Sequence, residues 1–230
     1  MLKENLDTVM KNIKTACEKS GRSLDEVTLI AVSKTKPLSD IEELVTYGVK
    51  EFGENKVQEL TDKYENISTK VNWHLIGHLQ TNKVKYIVDK ACLIHSVDSV
   101  HLAEAVNKEA AKKGVVCSIL IQVNIAREDT KFGIDAGEIY EFIDKIKDFE
   151  NIKVKGLMTI APFVENAEDN RIHFRNLYQL LLDIKSKNID NIDMNILSMG
   201  MTNDYMIAIE EGATMVRVGT GIFGERNYNI

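Results

Sequence analysis

From end to end the chain alternates short apolar runs with stretches of helical spacing. The runs are Thr28–Lys34 (TLIAVSK), Lys50–Glu54, Val71–Ile76, Leu93–Val97, Cys117–Asn124 (CSILIQVN), Lys153–Ile160, Ile196–Met199 and Thr214–Val218. Most lack the period-two alternation of a half-exposed strand, which marks strands buried on both faces. A helical segment lies between each consecutive pair. Ser39 with Glu42 makes a capping-box pattern for a helix ending at Gly48, and further helices are expected near Asn55–Asn66, Asn82–Lys90 and Ser99–Lys113. Others start at Asp135, where Glu138 completes a capping pattern, and cover about Ala167–Ser186 and Asp204–Glu211. Ahead of the first strand, Leu2, Leu6, Val9, Met10, Ile13 and Cys17 recur on one helical face, and Gly21 ends the pattern. Eight such units in 230 residues predict a (β/α)8 TIM barrel with an extra N-terminal helix. A doubly wound open sheet is the alternative that periodicity does not separate, although no run reads as a polar edge strand.

A chain that is 44% hydrophobic and 28% charged suits a single domain spanning 1–230, since no Gly/Ser/Pro-rich stretch reads as a linker. The net charge of −6 with interspersed signs gives no basic stripe, so a nucleic-acid surface is not expected. The apolar runs are too short to span a bilayer, and the N-terminus lacks the pattern of a signal peptide. Both point to a cytoplasmic protein. The three cysteines, Cys17, Cys92 and Cys117, are scattered, so neither disulfides nor structural zinc is expected.

In a closed barrel the chemistry lies at the carboxyl ends of the strands. Lys34 closes the first strand, and Pro37 cannot continue it. A lysine held there partly out of water can act as a nucleophile toward a carbonyl; taken alone, it reads first as a strand end facing solvent. Lys36, two residues on, either depresses the Lys34 amine by repulsion or is a surface lysine. Asn55 follows the second strand. His74 lies on the third and His78 at its exit; their four-residue spacing suits zinc on a helix but not on a strand, so no metal site is expected. The seventh strand runs into Ser198, Met199, Gly200, Met201 and Thr202, just before a helix near Asn203, and the eighth runs through Arg217 into Gly219, Thr220 and Gly221. Glycines and exposed N–H groups at such strand ends favour a phosphate. Arg217, inside the apolar run MVRVG, needs an acceptor: a structural carboxylate, with Glu225 available, or a ligand. Lys131, in the loop Asn124–Gly133, reads as a solvated lysine with phosphate handling as the alternative. Lysine, phosphate loops and arginine at one barrel mouth match the needs of pyridoxal 5′-phosphate (PLP).

At these residues the chain resembles the pyridoxal phosphate homeostasis proteins, the alanine-racemase-like PLP-binding barrels. The stretches that carry the resemblance are AVSKTKP (Ala31–Pro37), FGENKVQE (Phe52–Glu59), WHLIGHLQTNKVK (Trp73–Lys85), SVDS (Ser96–Ser99), GLMTIAP (Gly156–Pro162), LSMGMTNDY (Leu197–Tyr205) and VRVGTGIFGER (Val216–Arg226). It implies a fold-type III barrel without the second β domain of the racemases, with PLP held as an internal aldimine on Lys34. The family's phosphate-binding serine falls on Thr202, which keeps the hydroxyl. Gly219 and Thr220 match the phosphate turn, Arg217 the arginine near the pyridine nitrogen, and Asn55 and His74 positions near the cofactor. A cation at that nitrogen makes the ring a weaker electron sink. The function implied is intracellular PLP homeostasis or delivery, with PLP-requiring apo-enzymes as partners and no turnover required, by a monomer. The alternatives are a PLP-dependent amino-acid racemase or decarboxylase, and a lysine Schiff-base aldolase acting on a sugar phosphate.

Overall fold

A computed structural model describes residues 1–126 and 132–225. Eight parallel strands form its centre: β1 (Thr28–Val32), β2 (Glu51–Glu54), β3 (Asn72–Leu75), β4 (Leu93–Val97), β5 (Cys117–Asn124), β6 (Ile152–Met158), β7 (Ile192–Met201) and β8 (Met215–Val218). Each pairs with its sequence neighbour, and β1 pairs with β8 in the register Ile30↔Arg217 and Ala31↔Val218. The ring is therefore closed and the fold is a (β/α)8 barrel, which rules out the doubly wound sheet. A two-residue bridge, Ile134–Asp135, adds to the end of β5.

The helices are α1 (Leu2–Lys19), α2 (Leu38–Thr46), α3 (Val57–Asn66), α4 (Val100–Lys113), α5 (Ile139–Ile146), α6 (Arg171–Ser186), α7 (Tyr205–Glu210) and α8 (Thr220–Phe223). Among the described residues none is long and apolar enough to cross a membrane. The main core lies between the sheet and these helices, where residues such as Phe52, Trp73, Ile119 and Phe174 are buried. A smaller cluster of Leu93, Leu120 and Met158 occupies the barrel interior. Alternation divides each strand between the two: on β7, Leu197 and Met199 join the outer core, whereas Ser198 bonds to interior side chains. The leading helix buries Leu6, Val9, Ile13 and Cys17 and ties to the end of the barrel through Asn5 Nδ2, which donates to the Ile222 carbonyl at 2.9 Å.

Three expectations need correction. The segment expected as a helix over Asn82–Lys90 is a 3₁₀ turn, Thr81–Tyr86; its β-branched Val84, Ile87 and Val88 bury themselves in little more than a turn, and such residues weaken a longer helix. Ser39 does not cap α2. The extended Pro37 starts the helix at Leu38, two residues earlier than a Ser39 cap would, and Glu42 instead accepts from the Ser68 hydroxyl at 2.9 Å. The seventh strand is longer than Ile196–Met199: Asp193 and Asn195 break its apolar run at a bulge, on either side of which it pairs with β6 through Val154↔Ile192 and Gly156↔Ile196. Ser99 and Asp135 do cap their helical segments, accepting from the backbone N–H of Leu102 and Gly137.

Candidate functional site

The strand ends open into a cavity of about 980 Å³, the size of a small-molecule site. Lys34, Asn55, Met201, Thr202, Arg217, Gly219 and Thr220 all line it. His74, Ser198, Met199 and Gly200 do not: His74 and Ser198 lie deeper in the barrel, Met199 faces the helices, and Gly200 packs on Ala208 and Tyr205. His78 lines the mouth, stacked on Phe132 with ring centroids 4.1 Å apart. The pair His74/His78 therefore points to two different places. Lys131 lies outside the described residues.

Lys34 is half-buried, two residues beyond β1, and its backbone is fixed on both sides. On one side the Ser33 carbonyl accepts from Lys63 Nζ at 2.8 Å, and the Ser33 hydroxyl donates to Glu54 Oε1 at 2.6 Å. On the other, Thr35 adopts φ 65°, a left-handed conformation uncommon for threonine, and its N–H donates to Glu59 Oε1. Lys63 donates to Glu54 and Glu59 as well, so one buried ammonium organises the turn that presents Lys34. Burial holds the Glu54 carboxyl above its ordinary value despite this partner. Lys36 turns away: its ammonium donates to the Phe223 carbonyl at 3.1 Å.

Opposite, the Thr202 hydroxyl oxygen lies 3.4 Å from both Gly219 N and Gly221 N. Contacts this long are weak, so the two N–H groups are nearly unspent donors beside a hydroxyl. The loop before α7 is braced by Asp204, which accepts from Met201 N at 2.7 Å and from Asn170 Nδ2 at 2.8 Å. With six residues in α7 and four in α8, the donors matter here more than any helix dipole.

Arg217 is only 3% exposed and, among the described residues, bonds to no carboxylate. Its Nη1 donates to Ser198 Oγ at 2.6 Å and its Nη2 to the Thr159 carbonyl at 2.8 Å; Glu225 is exposed and makes no ion pair with it. Burial pulls the guanidinium down to about 10, with Asp204 opposing, so it stays charged at neutral pH. A buried cation on neutral partners, at the wall of a cavity, retains capacity for a ligand acceptor.

Sequence reasoning missed His95, Gln122, Asn170 and Asp204. His95 gave the same signal as Arg217, an ionisable residue inside a buried run, LIHSV. Asn170 and Asp204 meet across 34 residues and left no local signal.

The alanine racemase N-terminal domain family matches residues 5–227. A pyridoxal phosphate homeostasis protein of Aquifex aeolicus is 45% identical over 226 residues, covering 98% of each chain. This chain belongs to the pyridoxal phosphate homeostasis protein family. Its Escherichia coli relative of the same name is 37% identical, covering 98% of this chain and 97% of that one. PipY of Synechococcus elongatus PCC7942, solved with PLP bound, superposes with a TM-score of 0.84 at 31% identity, over 97% of this chain and all of that one. An alanine racemase of Clostridium difficile shares the fold at a TM-score of 0.77 and 15% identity; this chain matches 57% of its length.

Proposed function

We propose that this chain binds PLP covalently through Lys34 and serves in its intracellular, cytoplasmic homeostasis, holding the cofactor and handing it to PLP-requiring apo-enzymes. One observation carries the reading: a single cavity is lined by a lysine amine, a hydroxyl backed by two nearly unspent backbone N–H groups, and a buried guanidinium. These suit, in turn, an aldehyde, a phosphate and a pyridine nitrogen. Bound PLP supplies a reactive carbonyl and a ring that withdraws electrons. Thr202 and the N–H groups of Gly219 and Gly221 hold the phosphate, with Thr220 at the rim. Arg217 faces the ring nitrogen and disfavours its protonation, which weakens the ring as an electron sink and suits a carrier. Asn55, the first residue past β2, flanks the ring.

Racemases and decarboxylases need a second acid or base across the ring. No tyrosine lines the cavity among the described residues; His78 and Glu165 at the mouth are the groups to test for that alternative. An aldolase working without PLP would leave the ring-sized space and Arg217 without purpose.

The test is an absorbance spectrum of the purified protein with PLP, followed by borohydride reduction and peptide mapping. A visible band and a label confined to Lys34, both lost in Lys34→Ala, are expected. A label spread over surface lysines would break the assignment, and saturable amino-acid turnover would replace the carrier reading with an enzyme.

A further inference from the structure

Beneath the cavity a file of polar side chains crosses the barrel interior from mouth to floor. Arg217 Nη1 lies 2.6 Å from Ser198 Oγ, Ser198 Oγ 2.9 Å from His95 Nδ1, His95 Nε2 2.9 Å from His74 Nδ1, and His74 Nε2 2.7 Å from Glu51 Oε2. Four strands other than β8 contribute: β7, β4, β3 and β2. Ser198 and His95 are fully buried, and His74 is 2% exposed. Glu51 opens β2 at the end opposite the cavity, is partly exposed, and takes a second bond from Asn72 Nδ2 at 2.7 Å.

One direction satisfies every donor and acceptor in the file. Arginine only donates, so Ser198 accepts, and its single proton goes to His95 Nδ1. A neutral His95 then carries its proton on Nε2 and donates to His74 Nδ1. His74 in turn carries its proton on Nε2 and donates to the Glu51 carboxylate. Burial and the neighbouring His74 and Arg217 keep His95 neutral, as this direction requires. Glu51 stays ionised: hydrogen bonds from His74 and Asn72 outweigh its partial burial. The file thus joins a buried cation to a carboxylate through Ser198, His95 and His74, all polarised the same way.

We propose that Glu51 is a positioning residue for Arg217, holding the guanidinium in place through His74, His95 and Ser198 although it stands at the far end of the barrel. Combined with the reading of the cavity as a PLP site, on which this part rests, the floor carboxylate sets how firmly Arg217 opposes protonation of the pyridine nitrogen. Without an acceptor at position 51, His74 is free to take its other tautomer; His95 and Ser198 follow, and Arg217 loses its fixed seat.

Imidazole and guanidinium ¹⁵N spectra of the apo protein test the file without any cofactor. In the wild type, both His74 and His95 are expected as Nε2–H tautomers and Arg217 Nε–H as a slowly exchanging signal. Glu51→Leu is expected to mix the tautomers and speed that exchange at least tenfold. Glu51→Gln, which keeps a carbonyl acceptor, is expected to retain the wild-type pattern and guards against a mere folding defect. An Nδ1–H tautomer at His95 in the wild type, or an Arg217 signal unmoved by Glu51→Leu, overturns the proposal. With ¹⁵N-labelled PLP bound, the ring-nitrogen shift is expected to move in Glu51→Leu and not in Glu51→Gln. A ring nitrogen that ignores Arg217→Lys overturns the cofactor reading instead, and the apo spectra decide the file by themselves.

Discussion

Lys63 on α3 reaches Glu54 on β2 at 2.8 Å, and both side chains are buried directly behind the turn that presents Lys34. The second Glu54 oxygen has no partner among the described residues, so Lys63 and the Ser33 hydroxyl, both on the first oxygen, hold this carboxylate in the interior, and Lys63 supplies the charge. Removing one member of a buried pair strands the other's charge, at a cost of about 3–5 kcal/mol. Lys63→Met is therefore expected to lower stability by that amount in urea unfolding, read by the single tryptophan, buried Trp73. A loss under about 1 kcal/mol would show that the pair is solvated in solution.

Gly77 carries the backbone of Asn55 against the cavity wall. A Cβ at this position would overlap the Asn55 carbonyl oxygen and lie 2.7 Å from its Cα. Gly77→Ala is expected to cost about 1–3 kcal/mol and to displace Asn55, so that PLP affinity falls together with the melting temperature. Unchanged affinity in a destabilised variant would detach Asn55 from the ligand.

Thr202→Ala removes the hydroxyl at the head of the proposed phosphate cradle while leaving both N–H groups in place. One hydrogen bond to a charged group is worth about 1.5 kcal/mol or more, so PLP release is expected to quicken roughly tenfold. Stopped-flow transfer to an excess apo-enzyme measures this, and an unaltered rate would remove Thr202 from the cradle.

Glu211 gives a pH signature. Burial pushes its carboxyl up, but hydrogen bonds from Arg175 and Arg171 outweigh this and hold it below the ordinary 4.5. The folded state therefore binds this proton less readily than the unfolded chain. The bonds' contribution is complete above about pH 4.5 and is lost as pH falls through the lower folded value. Glu211→Gln is expected to lower the urea midpoint at pH 7 and to flatten the acid limb of stability against pH. An acid limb identical to the wild type would assign it to other carboxylates.

Much of this architecture was legible because a buried parallel strand leaves a run that nothing else explains. All eight strands were found, Leu93–Val97 and Cys117–Asn124 to the residue. The ends of β7 were not, since Asp193 and Asn195 interrupt the apolar run at a bulge beyond which Ile192 pairs with β6 again. Lys34, Thr202, Arg217 and Gly219 were legible for a geometric reason: a barrel gathers its strand ends, so reading the ends reads the cavity. Alternation explains what was over-read. Residues next to each other on a strand face opposite ways, so Ser198 and Met199 cannot both approach a ligand, and neither lines the cavity. The Lys63–Glu54 support and the Asn170–Asp204 brace depend on pairings that only the closed ring creates.

That ring closes by pairing β1 with the last strand, β8. Lys34 and Gly219 are neighbours around one cavity although nearly the whole chain separates them. A nascent chain emerging from the ribosome carries Lys34 early, with no opposing loop, and seven further strands must form before the two walls meet. A chain that stalls before its final strand therefore carries Lys34 but lacks the Gly219 turn that stands opposite it in the finished cavity.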